Sequence, residues 1–77
     1  MNILNYKSYQ GSIEQDQDRK IYRGHVMFIS DLVTYEAAST DELVREFEAA
    51  IDDYLVTCAE LGRAPQRPSA FPHQNFA

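Results

Sequence analysis

Basic residues, cysteines and long apolar runs are all scarce in this chain, and each shortage excludes something. Seven Lys and Arg stand against twelve Asp and Glu, a net charge of −5. Such a surface repels phosphate backbones, which argues against nucleic acid as the direct ligand of the whole chain. The single cysteine, Cys58, leaves no internal disulfide and no Cys-based zinc site. No segment approaches the ~20 apolar residues that cross a bilayer. The opening "MNILNYKSYQ" also lacks the apolar run after a basic start that marks a signal peptide. The expectation is a soluble, cytoplasmic protein with no membrane partner. Of the three glycines, Gly11 and Gly24 lie far apart in strand-like surroundings, which excludes a phosphate loop.

What is present fits one small domain. Seventy-seven residues support a single modest core, too little for an easily built deep catalytic pocket. Self-association or a partner surface is the common way to supply missing burial at this size. Residues 4–14, with Tyr6, Tyr9 and Ile13 among polar residues and no helical period, read as a strand. Gly11 marks a bulge or close backbone approach within it. The polar "QDQDRK" is a turn. "IYRGHVMFI" alternates, with Tyr22, Gly24, Val26 and Phe28 on one face and Arg23 and His25 on the other. After a short "SD" turn, "LVTYEAA" sets Val33, Tyr35 and Ala37 against Thr34 and Glu36. These three strands form an antiparallel meander.

"STDE" is a capping box in which Ser39 is the N-cap and Glu42 reaches back to it. Leu43, Phe47, Ala50, Ile51, Tyr54, Cys58 and Leu61 then repeat at helical spacing, and Gly62 is the stop. The pattern predicts a helix from about residue 40 to about residue 61. Pro65, Pro68 and Pro72 make residues 63–77 an extended or disordered tail, set against a folded domain over residues 1–62. The fold class is therefore α+β, a three-stranded antiparallel sheet packed by one long helix.

The helix is the candidate site. At about 100° per residue, Asp41, Glu48 and Asp52 line one flank of its polar side, and Glu42, Glu46, Asp53 and Glu60 line the other. The neighbours Asp52 and Asp53 thus diverge by about 100° and cannot act together on one proton or metal ion. With Arg45 as the lone base, the segment is more acidic than helix stability asks for. A solvated face and a surface for a basic protein partner both fit this pattern. Other candidates are weaker. Glu14, Asp16, Asp18 and Asp31 fall at strand ends or turns, not at the centre of a sheet where a metal-dependent nuclease needs its acids. His25 and His73 have no second ligand at metal spacing, Ser12 and Ser39 have no base nearby in sequence, and Cys58 lies on the apolar stripe. No metal or cofactor is expected.

"YKSYQGSIEQD", followed by "YRGHVMFISDLVTYEAASTDELVREFEAAIDDYLVTCAELGRAPQRP", resembles the N-terminal domain of HicB-type antitoxins over roughly residues 6–69. The resemblance lies in the Tyr-x-Gly-Ser start, the Tyr-x-Gly-x-Val strand, the Asp-x-Val-Thr-Tyr-Glu strand, and a helix ending Asp-Asp-Tyr-Leu-x-x-Cys before Gly and Pro-x-x-Pro-Ser. It implies a partial ribonuclease H-like fold of β-β-β-α order without the nuclease carboxylates. It also implies a non-enzymatic role: binding a HicA-type toxin, a small basic protein of double-stranded-RNA-binding type that cleaves mRNA through a histidine. Glu46, Glu48, Asp52 and Asp53 are the residues expected at that partner. The similarity fades in "RPSAFPHQNFA", where Ala70 replaces a glycine and Pro72 interrupts a strand, and the family's DNA-binding region does not follow. Direct DNA binding by this chain alone is not expected. The alternative is a shortened orphan domain that folds or self-associates without binding a toxin or DNA.

Overall fold

Lys7 and Ser8 turn the chain back on itself. The computed structural model describes residues 3–68 and opens with a hairpin of β1 (Ile3–Tyr6) and β2 (Tyr9–Ser12), in register from Ile3 opposite Ser12 to Tyr6 opposite Tyr9. Both turn residues take positive φ, 51° and 72°, as a two-residue hairpin needs to match the twist of its strands. Gly or Asn normally announces such a turn, and Lys-Ser does not. The one strand expected over residues 4–14 is therefore two, and Ile13 separates β2 from a third piece, β3 (Glu14–Asp16).

β3 pairs antiparallel with β4 (Ile21–His25), and β4 with β5 (Thr34–Ala37), giving the expected three-stranded order β3-β4-β5. The hairpin joins this sheet through a bridge between Gly11 and Val26 and a bond from the Met27 N–H to the Gln10 carbonyl at 2.8 Å. The inward alternation of Gly24 and Val26 holds, but it fails at Phe28. That residue has φ 68° and is exposed. The Val26 N–H already closes the ladder on the Val33 carbonyl at 2.9 Å, so residues 27–32 form a wider connection than the short turn expected at Ser30–Asp31.

The helix α1 (Thr40–Leu61) follows the sequence signals at both ends. The Ser39 side chain accepts the Glu42 N–H at 3.2 Å. Among the described residues the Glu42 carboxylate makes no return bond, so half of the capping box forms. At the other end Gly62 adopts φ 71°. Its N–H reaches the Ala59 carbonyl at 3.2 Å and the Arg63 N–H reaches that of Cys58 at 2.9 Å, the paired bonds of a Schellman stop. Leu43, Phe47, Ile51 and Cys58 are buried, and Ala50 and Tyr54 are partly so. Leu61 departs from the expected stripe and is exposed. Twenty-two helical residues extend about 33 Å, well past strands of three to five residues, so the last turn overhangs the sheet.

The core closes around Tyr35, which is 7% exposed. Its ring packs edge-on to Phe47, with centroids 5.3 Å apart. Its hydroxyl approaches the carbonyls of Ser12 at 2.9 Å and His25 at 3.3 Å. Burial pushes that hydroxyl's pKa up to about 12, so it remains a donor at any physiological pH. The ring needs two glycines beneath it. A Cβ at Gly11 would lie 2.2 Å from the Tyr35 Oη, and one at Gly24 would lie 1.9 Å from the Ser12 carbonyl oxygen. The close approach expected at Gly11 is thus real, and Gly24 shares it.

Residues 63–68 carry no secondary structure but are pinned to the domain. Tyr54 donates to Asp31 Oδ2 at 2.8 Å and accepts the Gln66 N–H at 2.9 Å. The Gln66 side-chain oxygen accepts the Ser30 N–H at 2.7 Å, and the Gln66 backbone carbonyl accepts the Tyr9 hydroxyl. Arg63 meets Asp31 Oδ2 at 2.7 Å, and Arg67 lies over the Tyr9 ring at 5.4 Å. These contacts cross the boundary expected at residues 62 and 63 and cover the part of the core that the short strands leave open. The expected disorder or extension of residues 69–77, with Ala70, Pro72 and His73, lies outside the described residues.

Two outcomes follow from this packing. Gly24→Ala forces a backbone clash rather than a side-chain shift, and should lower the unfolding free energy by at least ~2 kcal/mol, read from the urea midpoint. Tyr54→Phe removes the hydroxyl that joins Asp31 to Gln66. It should cost about 1–2 kcal/mol and speed tryptic cleavage after Arg63, followed by mass spectrometry.

Candidate functional site

The outer side of α1 is defined by which residues the core leaves over. Helical geometry places Arg45, Ala49 and Val56 furthest from the buried row of Leu43, Phe47, Ile51 and Cys58. All three are exposed, Val56 at 55%. Acidic residues flank this ridge. Asp41, Glu48 and Asp52 run along the side nearer β1. Glu42, Glu46, Asp53 and Glu60 run along the side nearer β5.

The two central aspartates have different surroundings, as their divergence predicted. Asp52 is half-buried and occupied. Tyr6 donates to its Oδ1 and Oδ2 at 3.1 and 3.0 Å, and Lys7 binds Oδ1 at 2.8 Å. The Lys7 hydrogen bond, together with that from Tyr6, holds the Asp52 carboxyl below the usual carboxylate range. Asp52 is thus the fastener between the helix and the turn of the β1–β2 hairpin, which no local pattern connects to it. Asp53 is exposed, and among the described residues neither it, Glu46 nor Glu48 enters an ion pair. The four residues expected at a partner therefore do not form one patch. Glu48 and Asp52 share the hairpin flank, while Glu46 and Asp53 share the β5 flank.

The β5 flank borders a groove that sequence reasoning missed. Leu32, Val33 and Thr34 form one wall, and Ala50, Asp53, Tyr54 and Thr57 the other, around about 310 Å3 of open space. Leu32 stands at 85% exposed. By the strand's alternation it falls on the side of Thr34 and Glu36. The signal that would have found the groove is the row 46, 50, 53, 57, 60, which alternates acidic with small side chains along one line of the helix.

A second grouping lies on the solvent face of the β3-β4-β5 sheet, where Glu14, Arg23, His25, Thr34 and Glu36 border an open depression with Leu32. The fold brings His25 to Ser12, for which the sequence offered no base. The serine Oγ accepts the His25 N–H at 3.0 Å and lies 3.2 Å from its Nδ1. Glu14 Oε2 is 3.9 Å from the same nitrogen. A Ser-His-acid relay needs the serine and the acid on opposite ring nitrogens. Here both face Nδ1, and Ser12 serves as a strand fastener. Cys58 is a free, buried core residue. Among the described residues no group of three or more His, Cys, Asp or Glu is placed to hold a metal ion, and no helix is long and apolar enough to cross a membrane.

Compared with protein-family models, with curated proteins and with solved structures, the chain matches none.

Because the Asp52 carboxyl is depressed in the folded protein, its contribution is present above the unfolded value of about 4. That contribution is lost as pH falls through the lower folded value. Thermal unfolding of the parent and of Asp52→Asn between neutral pH and about pH 2 should show the parent's advantage at neutral pH vanish in acid. Parallel curves for the two proteins would remove Asp52 from the fastening role.

Proposed function

We propose that the chain is an antitoxin-like interaction module of HicB type, which binds and neutralises a small, basic, mRNA-cleaving toxin of HicA type and performs no catalysis of its own. The observation that carries this reading is the one-sided charge of α1. It is an exposed helix with a single base, whose Glu46 and Asp53 are left without intramolecular ion pairs among the described residues. An acidic surface of this kind steers a basic protein into contact and screens off its RNA-binding charge. The order of motifs from Tyr6 to Pro68 supports the same family, and within this reading the β3-β4-β5 sheet and α1 form a partial ribonuclease H-like core. Arg63 is paired with Asp31 and Arg67 lies over the Tyr9 ring, so both bases of the segment already have intramolecular partners, which supports a protein rather than an operator as partner. A toxin that acts on mRNA places the module in the cytoplasm.

Co-expression with a HicA-type toxin tests the proposal. The parent chain should restore growth and co-purify with the toxin, and failure of both sinks the reading. Glu46→Lys with Asp53→Lys leaves the Asp52 fastener intact. It should weaken toxin binding by about tenfold or more with little change in thermal unfolding. Unchanged affinity in a calorimetric titration would move the interface off the β5 flank of the helix.

A further inference from the structure

Among the described residues β5 is the last strand of its sheet, and none of them pairs with its second edge. The Val26 N–H bonds the Val33 carbonyl, and hydrogen-bonded pairs in an antiparallel ladder recur at every second residue. Val33, Tyr35 and Ala37 therefore turn their backbone groups to β4. The N–H and C=O groups of Thr34 and Glu36 point the other way, and none of the hydrogen bonds among the described residues uses them. This edge runs beside the groove described above, whose helical wall carries Ala50, Asp53 and Thr57, with Glu46 and Glu60 continuing the same row of the helix before and after them. Most edge strands are guarded by lysine, proline or a bulge. β5 has none of these, and Leu32 stands exposed at its entrance.

We propose that the open edge of β5, together with the groove between it and α1, is a strand-addition site for an extended partner segment that carries basic side chains. Backbone pairing with Thr34 and Glu36 supplies the attachment, as in other edge-binding modules. Alternate side chains of the added strand then enter the groove against Ala50 and Leu32, where a lysine or arginine reaches Asp53 or Glu46. The remaining side chains lie beside Thr34 and Glu36 on the solvent face, again toward negative charge. Charge decides between the two occupants that such an edge invites. Pairing of β5 with β5 of a second copy sets the two acidic rows of α1 against each other across the seam, in a chain of net charge −5. A basic strand neutralises the same row. The site stands whether or not the partner is a toxin.

The test uses the full chain and a short soluble peptide alternating lysine with valine, followed by amide NMR and hydrogen exchange. In the free protein the Thr34 and Glu36 amides should exchange fast while those of Tyr35 and Ala37 are protected. Added peptide should slow Thr34 and Glu36 selectively. A peptide with glutamate in place of lysine should bind at least about tenfold more weakly, and so should the lysine peptide N-methylated on every second residue. Thr34→Pro removes one open-edge donor and should abolish the protection. If that variant unfolds, Asp53→Lys serves in its place, with an expected tenfold loss of about the same size. Equal binding by the N-methylated peptide would reduce the contact to charge alone and overturn strand addition. Protection of Thr34 and Glu36 in the free protein that rises with protein concentration would assign the edge to a second copy and likewise overturn the proposal, as would protection on β1 instead.

Discussion

The ring of Tyr35 lies where the backbones of two other strands come too close for any side chain. Gly24 beneath it and Gly11 beyond it give up their Cβ positions, and the hydroxyl then reaches the carbonyls of Ser12 and His25. One side chain thus ties β5 to β4 and to the hairpin strand β2, and presents its edge to Phe47 of the helix. Among the described residues the hairpin meets the three-stranded sheet at one bridge, Gly11 to Val26, and at the His25–Ser12 bond, so this slot carries much of their relative placement. In a chain with so small a core, a close-packed aromatic in a glycine slot does the joining that longer strands would otherwise do.

Around that joint the helix divides its acids between two jobs. Asp52 and Asp53 are adjacent and chemically identical, yet a rotation of about 100° sends one to Tyr6 and Lys7 and leaves the other free beside β5. Charge count alone treats them as one feature. A carboxylate already bound to a lysine and a phenol offers little to a newcomer, because a partner must displace those bonds before adding its own. On the β5 flank, by contrast, acids without ion pairs among the described residues lie beside an exposed Leu32 and an unpaired strand edge.

The C-terminal segment shows how a short sheet and a long helix are reconciled. α1 is longer than its strands, and residues 63–68 fold back from its end to meet Tyr54, Asp31, Ser30 and Tyr9. Gln66 satisfies Ser30 and Tyr54 while Arg63 and Arg67 are drawn to Asp31 and Tyr9. Prolines at 65 and 68 keep this stretch extended, which lets it lie against Tyr9, Ser30 and Tyr54 instead of continuing the helix. The three prolines that looked like markers of a loose tail include two that shape a docked strap.

Much of this was legible locally. The helix from Ser39 to Gly62, its buried row, the inward faces of β4 and β5, and the divergence of Asp52 from Asp53 all follow from periods of 3.6 and 2 and from cap chemistry, which act within a few residues. Three things were not legible. The Lys7–Ser8 turn adopts a conformation those residues do not advertise. Residues 27–32 take their length from where Val26 and Val33 meet. The strap, the Asp52 fastener and the Ser12–His25 contact join residues 12 to 58 positions apart. The sequence by itself determined which faces are apolar, where the helix starts and stops, and that its outer side is acidic, because these depend on neighbours in the chain. The tertiary structure alone decided which acids are occupied, which strand edge is left unpaired among the described residues and which basic residues find partners, because each depends on groups that only folding brings together.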